Sequence, residues 1–167
     1  MSREYPDRPM VGVGAVIWRG RQVLLIRRGK PPRVGQWSLP GGAQQLGETL
    51  REAITREVRE ETGLELAEPR LLTTVDLVER DPDGRVRYHY TLVDFTAEAP
   101  DGEPVAGVDA AAVAWFEADQ LAGLGLWSET LRIIDEAAAL RVASPQRLPG
   151  AAEPAPDFLE PTGLRPA

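Results

Sequence analysis

The sequence contains no cysteine, one histidine and one lysine, and these gaps exclude several kinds of site. Without cysteine, the chain has no disulfide framework, thiolate nucleophile or cysteine-ligated metal. The longest apolar stretch, residues 11–18, is interrupted by glycine and falls far short of the roughly 20 residues that span a bilayer. The N-terminus is charged and polar, whereas a secretion signal would need an apolar run. We therefore expect a cytoplasmic protein that binds no membrane.

The charge balance is acidic, with 19 basic residues against 26 acidic ones and a net charge of -7. This balance disfavours a protein that coats nucleic acid. All the basic residues except Lys30 are arginine. Because guanidinium groups bind phosphate oxygens in pairs, local arginine clusters still suit a small phosphate compound.

The length and composition fit a single domain followed by a tail. At 167 residues with 43% hydrophobic content, the chain can bury one ordinary core. Residues 1–143 are predicted to form that domain. Residues 144–167 hold six prolines and little periodicity, so they are predicted to be a separate proline-rich tail.

Hydrophobic patterning predicts strands and helices that mix along the chain, in an α/β or α+β domain. Short β-rich runs predict strands, and longer runs of helix formers predict helices. The strands are expected at 11–18, 22–28, 71–78, 86–95 and 111–116, and the helices at 48–62, 117–121 and 128–142. Only a short glycine-containing loop separates the first two strands, which predicts an antiparallel hairpin.

The helix over 48–62 is crowded with glutamates and arginines. The ordinary explanation is a solvent-exposed helix face on which these residues form salt bridges with one another. Steps of about 100° per residue, however, place Glu57 and Glu61 beside the apolar stripe that begins at Leu50. Ionised carboxylates on the buried side of a helix need a cation or arginine partners.

Glu60 adds a third carboxylate to this cluster. Oxygen ligands without histidine or cysteine favour a hard cation such as Mg²⁺ over zinc. Such a cation commonly joins carboxylates to substrate phosphates. Phosphoryl or nucleotidyl transfer to water is therefore the expected reaction.

The spacing of the surrounding residues is a specific motif. Gly42 is followed after five residues by Glu48, and after seven more by Arg56-Glu57-Val58-Arg59-Glu60-Glu61-Thr62-Gly63-Leu64. This pattern resembles the complete signature of the Nudix hydrolase family, with every defined position matched. The wider resemblance covers roughly residues 8–142, whereas the tail resembles nothing that we can name.

The resemblance implies an α/β/α sandwich around a mixed β-sheet and hydrolysis of a nucleoside diphosphate linked to another group. It assigns Mg²⁺, with Mn²⁺ as a substitute, to the carbonyl of Gly42 and to the carboxylates of Glu57, Glu60 and Glu61. These glutamates, together with Arg56, are the expected catalytic residues. Arg56 and Glu48 are expected to brace the loop and the helix.

The resemblance predicts the general base and the phosphate-binding residue less specifically than the metal ligands. Nudix members take their base from the helix or from a later loop, so Glu61 is favoured while Glu103 and Asp109 remain alternatives. Arg27 and Arg28 end the second strand just before the motif. One of them is expected either to contact the substrate diphosphate or to lie at the surface.

The substrate prediction is ADP-ribose, cleaved to AMP and ribose 5-phosphate, because the layout loosely resembles the ADP-ribose pyrophosphatase group. A proline expected about fifteen residues past the motif is not cleanly present, since Pro69 is too early and Pro82 too late. The alternatives are a pyrophosphohydrolase of oxidised dNTPs and a nucleotide-sensing module without turnover. Family precedent also favours a homodimer.

Aromatic residues and the single histidine are weaker candidates. His89 lies between two tyrosines on a predicted strand, so its side chain should point away from theirs, and we expect a structural or surface role. Four tryptophans could stack on a nucleobase, but the sequence alone does not select one of them. They are Trp18, Trp37, Trp115 and Trp127.

Overall fold

The structure is a computed structural model that describes residues 3–29 and 33–143. The predicted proline-rich tail at 144–167 lies outside the described residues, so its separation from the domain stays a prediction. In the described ranges, no helix is long and apolar enough to cross a membrane.

A mixed sheet of seven strands forms the centre of the fold. The strands are β1 (Met10–Arg19), β2 (Gln22–Arg28), β3 (Trp37–Ser38), β4 (Gly41–Ala43), β5 (Arg70–Arg80), β6 (Val86–Glu98) and β7 (Ala110–Glu117). The main order is β3-β2-β1-β6-β5, while β4 pairs with β1 and β7 pairs with β2. β1 and β6 run parallel, and the other pairs are antiparallel.

The five strands predicted from the sequence are confirmed. β2 has the predicted bounds, and the other four extend past the predicted ends. The predicted hairpin between β1 and β2 is present, and Gly20 turns the chain with φ 60°. Glycine adopts this left-handed conformation without a steric penalty.

Helices cover both faces of the sheet, which confirms the α/β/α sandwich. α1 (Leu50–Thr62) packs on one face through a cluster that includes Ile54 and Val58, both fully buried. α3 (Ser128–Ala143) packs on the other face, through Ile133 and Ile134. A short α2 (Ala118–Leu121) and a 3₁₀ turn at 122–124 lie between β7 and α3.

α1 begins two residues later than predicted, because Thr49 caps it. The hydroxyl of Thr49 accepts a hydrogen bond from the Glu52 N–H at 3.2 Å, and the Glu52 carboxylate accepts one from the Thr49 N–H at 2.7 Å. Such a reciprocal box satisfies two backbone donors that a helix start leaves open. The helix ends at the predicted residue, Thr62, and Gly63 caps it with φ 71°.

Two short strands, β3 and β4, were not predicted. Their residues lie in the segment between β2 and α1, which contains a proline and two glycines just before the helix. Such short segments show no alternation of apolar and polar residues that would predict a strand. The strands with which they pair are not adjacent in sequence to both of them. β4 pairs Gly41 and Gly42 with Gly14 and Val13 of β1. This pairing fixes the loop in front of α1 against the sheet.

Candidate active site

A large cavity lies beside the glutamate-rich helix. Its volume is about 960 Å³, and residues of β1 to β6, α1 and α3 line it. This volume is in the range of pockets that hold small ligands. The cavity wall includes Gly42, Arg56, Glu57, Glu60 and Glu61. The motif of α1 therefore faces a space that a nucleotide can enter.

Glu61 is the most buried of these acids, with 7% of its surface exposed. Its Oε2 accepts a hydrogen bond from the Gly41 N–H at 2.8 Å. Burial raises the pKa of Glu61 to about 7 despite that hydrogen bond, and the charge of Glu57 adds to the rise. In the metal-free protein, burial therefore favours the protonated form of this carboxyl. The predicted placement of Glu61 on the buried side of the helix is confirmed.

Arg56 links the other glutamates. Its guanidinium binds Glu48 through Nε at 2.5 Å and Nη2 at 3.0 Å, and it binds Glu57 through Nη1 at 2.8 Å. The same Nη1 reaches Glu60 at 3.3 Å, and Nη2 donates to the carbonyl of Ala43 at 3.1 Å. The hydrogen bonds from Arg56 lower the pKa of Glu48 to about 2. Arg56 thus ties the loop before α1 to the helix.

Two glycines allow the β4 loop to approach β1 and α1. A side chain at Gly41, where φ is 151°, would place a Cβ 2.1 Å from the carbonyl oxygen of Val13. A Cβ at Gly42 would lie 2.4 Å from the carboxyl carbon of Glu57. The Glu57 carboxylate therefore occupies the space that a side chain at Gly42 would fill.

The loop between β6 and β7 closes against the end of α1. The Gly107 N–H donates to the carbonyl of Glu61 at 3.0 Å. A Cβ at Gly107 would come within 1.8 Å of the carbonyl oxygen of Glu60, so only glycine fits there. This contact brings Asp109 to the cavity wall.

Comparison with known proteins identifies the family. The family model for the NUDIX domain matches residues 8–137. The chain belongs to the Nudix family. Nudix hydrolases act on phosphoanhydride bonds of small nucleotide compounds and generally use divalent metal ions, so this chain is a hydrolase of that kind.

Three relatives show how close the likeness is. The chain is 36% identical to an ADP-ribose pyrophosphatase of Methanocaldococcus jannaschii over 74% of this chain and 70% of that protein. It is 39% identical to a Mycobacterium tuberculosis protein named "Putative 8-oxo-dGTP diphosphatase 2", over 67% of this chain and 75% of that one. The crystal structure of a MutT NUDIX hydrolase from Burkholderia pseudomallei superimposes with a TM-score of 0.69, at 33% identity, over 78% of this chain and 98% of that one.

The structure separates the candidates outside the Nudix motif. Arg28 lines the cavity, whereas Arg27 is exposed and lies outside it. A register shift between these two residues in the pairing with β7 accompanies the change. Asp109 lines the cavity, but Glu103 does not come to the site. The Glu103 side chain is 78% exposed and pairs with Arg19 at 2.8 Å.

Some of the aromatic candidates line the cavity, and others do not. Tyr88 and Tyr90 line the cavity and His89 does not, as strand alternation predicted. Among the tryptophans, Trp37 and Trp127 line it. The remaining two lie elsewhere: the indole N–H of Trp18 donates to Thr96, and Trp115 lies under the guanidinium of Arg19.

Several cavity residues were not anticipated from the sequence. Arg3, Arg33 and Arg87 line the cavity although they are far apart along the chain. Asp94 of β6 lines it too and is 4% exposed. The available signal for Asp94 was a single acid within the apolar run Leu92-Val93-Asp94-Phe95. The three arginines carried no such signal.

The Nudix carboxylates fit a hard divalent cation by donor type, since all their donor atoms are oxygens. Within residues 3–29 and 33–143, no three acids already converge as a cation cage. Instead, Glu57 and Glu60 bind Arg56, while Glu61 binds the Gly41 N–H. Arg56 supplies positive charge beside two of the three expected ligands. The Glu57 carboxylate fills the space where a Gly42 side chain would lie, so these two expected ligand residues are in contact.

Proposed function

We propose that this chain hydrolyses the phosphoanhydride bond of a nucleoside diphosphate derivative, with ADP-ribose as the first candidate substrate and AMP and ribose 5-phosphate as products. The observation that carries the proposal is the buried Glu61, which lines a nucleotide-sized cavity together with Glu57 and Glu60. The named pyrophosphatase relative from M. jannaschii supports ADP-ribose over other members of this substrate class.

We propose Mg²⁺ as the cofactor, held by Glu57, Glu60, Glu61 and the carbonyl of Gly42, with Mn²⁺ as a substitute. When bound, the cation neutralises phosphate charge and favours ionisation of water. Arg56 would hold Glu57 and Glu60 in place. Its bidentate contact with Glu48 fixes the guanidinium from the other side.

In the reaction, a water oxygen bonds to one phosphorus, and the bridging P–O bond breaks. The proton of the water goes to a base, and the leaving phosphate carries the negative charge. Glu61 is the proposed base, because its carboxyl lines the cavity beside the other glutamates of α1. Asp109 is the alternative, since it lines the same cavity. Arg28 is the proposed contact for the diphosphate.

Oxidised dGTP is the second candidate substrate. The M. tuberculosis relative, which is named for 8-oxo-dGTP, supports it at 39% identity. Both reactions would use the same carboxylates and would differ only in the groups that hold the base and the leaving group. The compartment and the assembly also stay proposals, namely the cytoplasm and a homodimer, and sedimentation would measure the latter.

The test is a hydrolysis panel with Mg²⁺ that contains ADP-ribose, NADH, oxidised dGTP and a dinucleoside polyphosphate. Chromatography of the products shows which bond breaks. Glu61→Gln is compared with Glu65→Gln, because the Glu65 side chain is 63% exposed and lies just past the helix. We expect turnover of ADP-ribose that needs the metal, is lost in Glu61→Gln and is retained in Glu65→Gln. Turnover of oxidised dGTP alone would favour the second candidate, and nucleotide binding without any turnover would favour a sensing module.

A further inference from the structure

One wall of the cavity is a row of alternating residues on β6. Tyr88, Tyr90, Leu92 and Asp94 lie two residues apart, and all four line the cavity. Successive residues of a strand point to opposite faces, so these four share one face of the sheet. The first three are partly exposed, whereas Asp94 is 4% exposed. The row therefore ends in a buried carboxyl.

One of the two oxygens of this carboxyl has no hydrogen-bond partner among the described residues. Its Oδ2 is buried and makes no hydrogen bond with any of the residues at 3–29 and 33–143. The two charged residues of α3 that act on it most are Arg132 and Glu136, and these bind each other at 3.0 Å. Glu129 also binds Arg132, at 2.8 Å. Arg132 is thus engaged by two other carboxylates.

The backbone makes room for Asp94. On the neighbouring strand, Gly14 is its register partner, and a Cβ there would lie 2.4 Å from Asp94 Oδ1. Any side chain at Gly14 would displace the carboxyl. The sheet therefore accommodates an acid that gives the folded chain no hydrogen bond through Oδ2. Buried polar groups are nearly always satisfied, so this exception requires an explanation.

The surroundings define what could satisfy the carboxyl. Leu92, Ile133 and Trp127 give the neighbouring cavity apolar walls, one of them aromatic. An ionised carboxylate only accepts hydrogen bonds, so its partner must carry N–H or O–H groups. Phosphates are anionic and would be repelled. A flat, largely apolar group with an N–H at its edge fits, and a nucleobase has that chemistry.

We infer that Asp94 recognises the base of the nucleotide by accepting a hydrogen bond from the exocyclic amino group of a purine. This assignment rests on the proposed function for the presence of a nucleotide in the cavity. It orients that nucleotide with the purine towards β6 and α3 and the phosphates towards Arg28 and the glutamates of α1. Burial raises the pKa of Asp94 to about 6, and an amino group that donates to the carboxylate favours its ionised form.

The test measures binding, so it does not need turnover. Calorimetry compares AMP with its analogue in which hydrogen replaces the 6-amino group, and GMP with IMP, which lacks the 2-amino group. At least one amino-bearing nucleotide should bind wild type about tenfold or more tightly than its analogue, because a hydrogen bond to a charged group is lost. In Asp94→Val that preference should vanish.

The matched control is Asp76→Val. Asp76 lies on β5 next to the cavity-lining Leu77, so strand alternation places it on the other face, and it is exposed. This control should keep the wild-type preference. Thermal unfolding of the ligand-free proteins adds a second measurement. If Asp94 only stabilised the fold, Asp94→Val would unfold at a lower temperature than wild type. Asp94→Val should unfold at a higher temperature than wild type, because it removes an unsatisfied buried acid.

Two results would overturn the inference: no preference for either amino-bearing nucleotide in wild type, or an unchanged preference in Asp94→Val. Absence of binding by all four nucleotides would do the same. A failure of the proposed function has a different signature. In that case the hydrolysis panel shows no turnover with Mg²⁺, while the Asp94-dependent preference in binding persists.

Discussion

Replacing Glu61 with glutamine should remove a large part of the pH dependence of stability in the metal-free protein. Burial raises the pKa of Glu61 to about 7 in the folded state, against 4.5 for an ordinary glutamate. The folded state therefore holds this proton more tightly than the unfolded state does. Its stabilising contribution is fully present below about pH 4.5 and is lost as the pH rises through about 7.

The magnitude follows from the difference of about 2.5 pKa units. At about 1.36 kcal/mol per unit, the whole contribution is about 3 kcal/mol, of which about 2 kcal/mol is lost between about pH 5.5 and 8.5. Glu61 is only 7% exposed, so solvent screening takes little away from this figure. For a domain of this size, about 2 kcal/mol corresponds to a fall of about 5 °C in Tm.

The assay is thermal unfolding in a metal chelator over that pH range, for wild type, Glu61→Gln and the exposed control Glu65→Gln. Glutamine keeps an acceptor for the Gly41 N–H but does not titrate. The raised pKa of Asp94, about 6, affects all three proteins alike, so the difference between the curves isolates Glu61. Parallel curves for wild type and Glu61→Gln would refute the reasoning.

Three other substitutions test the geometry of the site. Gly42→Ala should raise the Mg²⁺ concentration for half-maximal activity about tenfold or more, because the new Cβ displaces Glu57. A metal titration of activity measures this, and an unchanged midpoint would contradict it. Arg28→Ala should raise KM about tenfold through a lost phosphate contact, while the exposed Arg27→Ala should leave KM unchanged. Steady-state kinetics decide between the two arginines, and equal effects would remove the assignment. Arg56→Lys should lower kcat/KM about tenfold or more, because lysine has no planar fork to bind a carboxylate in two places. Wild-type kcat/KM in that variant would show that the network is dispensable.

The sequence was sufficient wherever local chemistry decides the structure. The burial of Glu61 follows from helix periodicity alone, and the end of α1 follows from Gly63. The start of α1 was also available, because Thr49 and Glu52 have the spacing of a capping box. The helix was predicted from Glu48 because helix formers continue that far. The cap, rather than helix propensity, sets the first residue.

Other features depend on contacts between distant parts of the chain. β3 and β4 exist because β2 and β1 pair with them, and no pattern within either short strand predicts that. Strand alternation did not distinguish Arg27 from Arg28, because the register shift occurs between them. Glu103 and Asp109 lie in one loop, yet only Asp109 reaches the cavity, next to the contact of Gly107 with α1.

The distribution of buried polar groups indicates the site independently of the motif. Among the described residues, the buried acids are Glu61 and Asp94, and both line the same cavity. Buried Thr62 and Thr96, in contrast, donate their hydroxyls to backbone carbonyls of the same helix and of β1. In both acids burial raises the pKa, so folding alone opposes the charged form. Buried acids whose charged form the fold opposes are expected at sites where a bound cation or ligand compensates the charge. We therefore expect a ligand to bind in the cavity between α1 and β6, beside both buried acids.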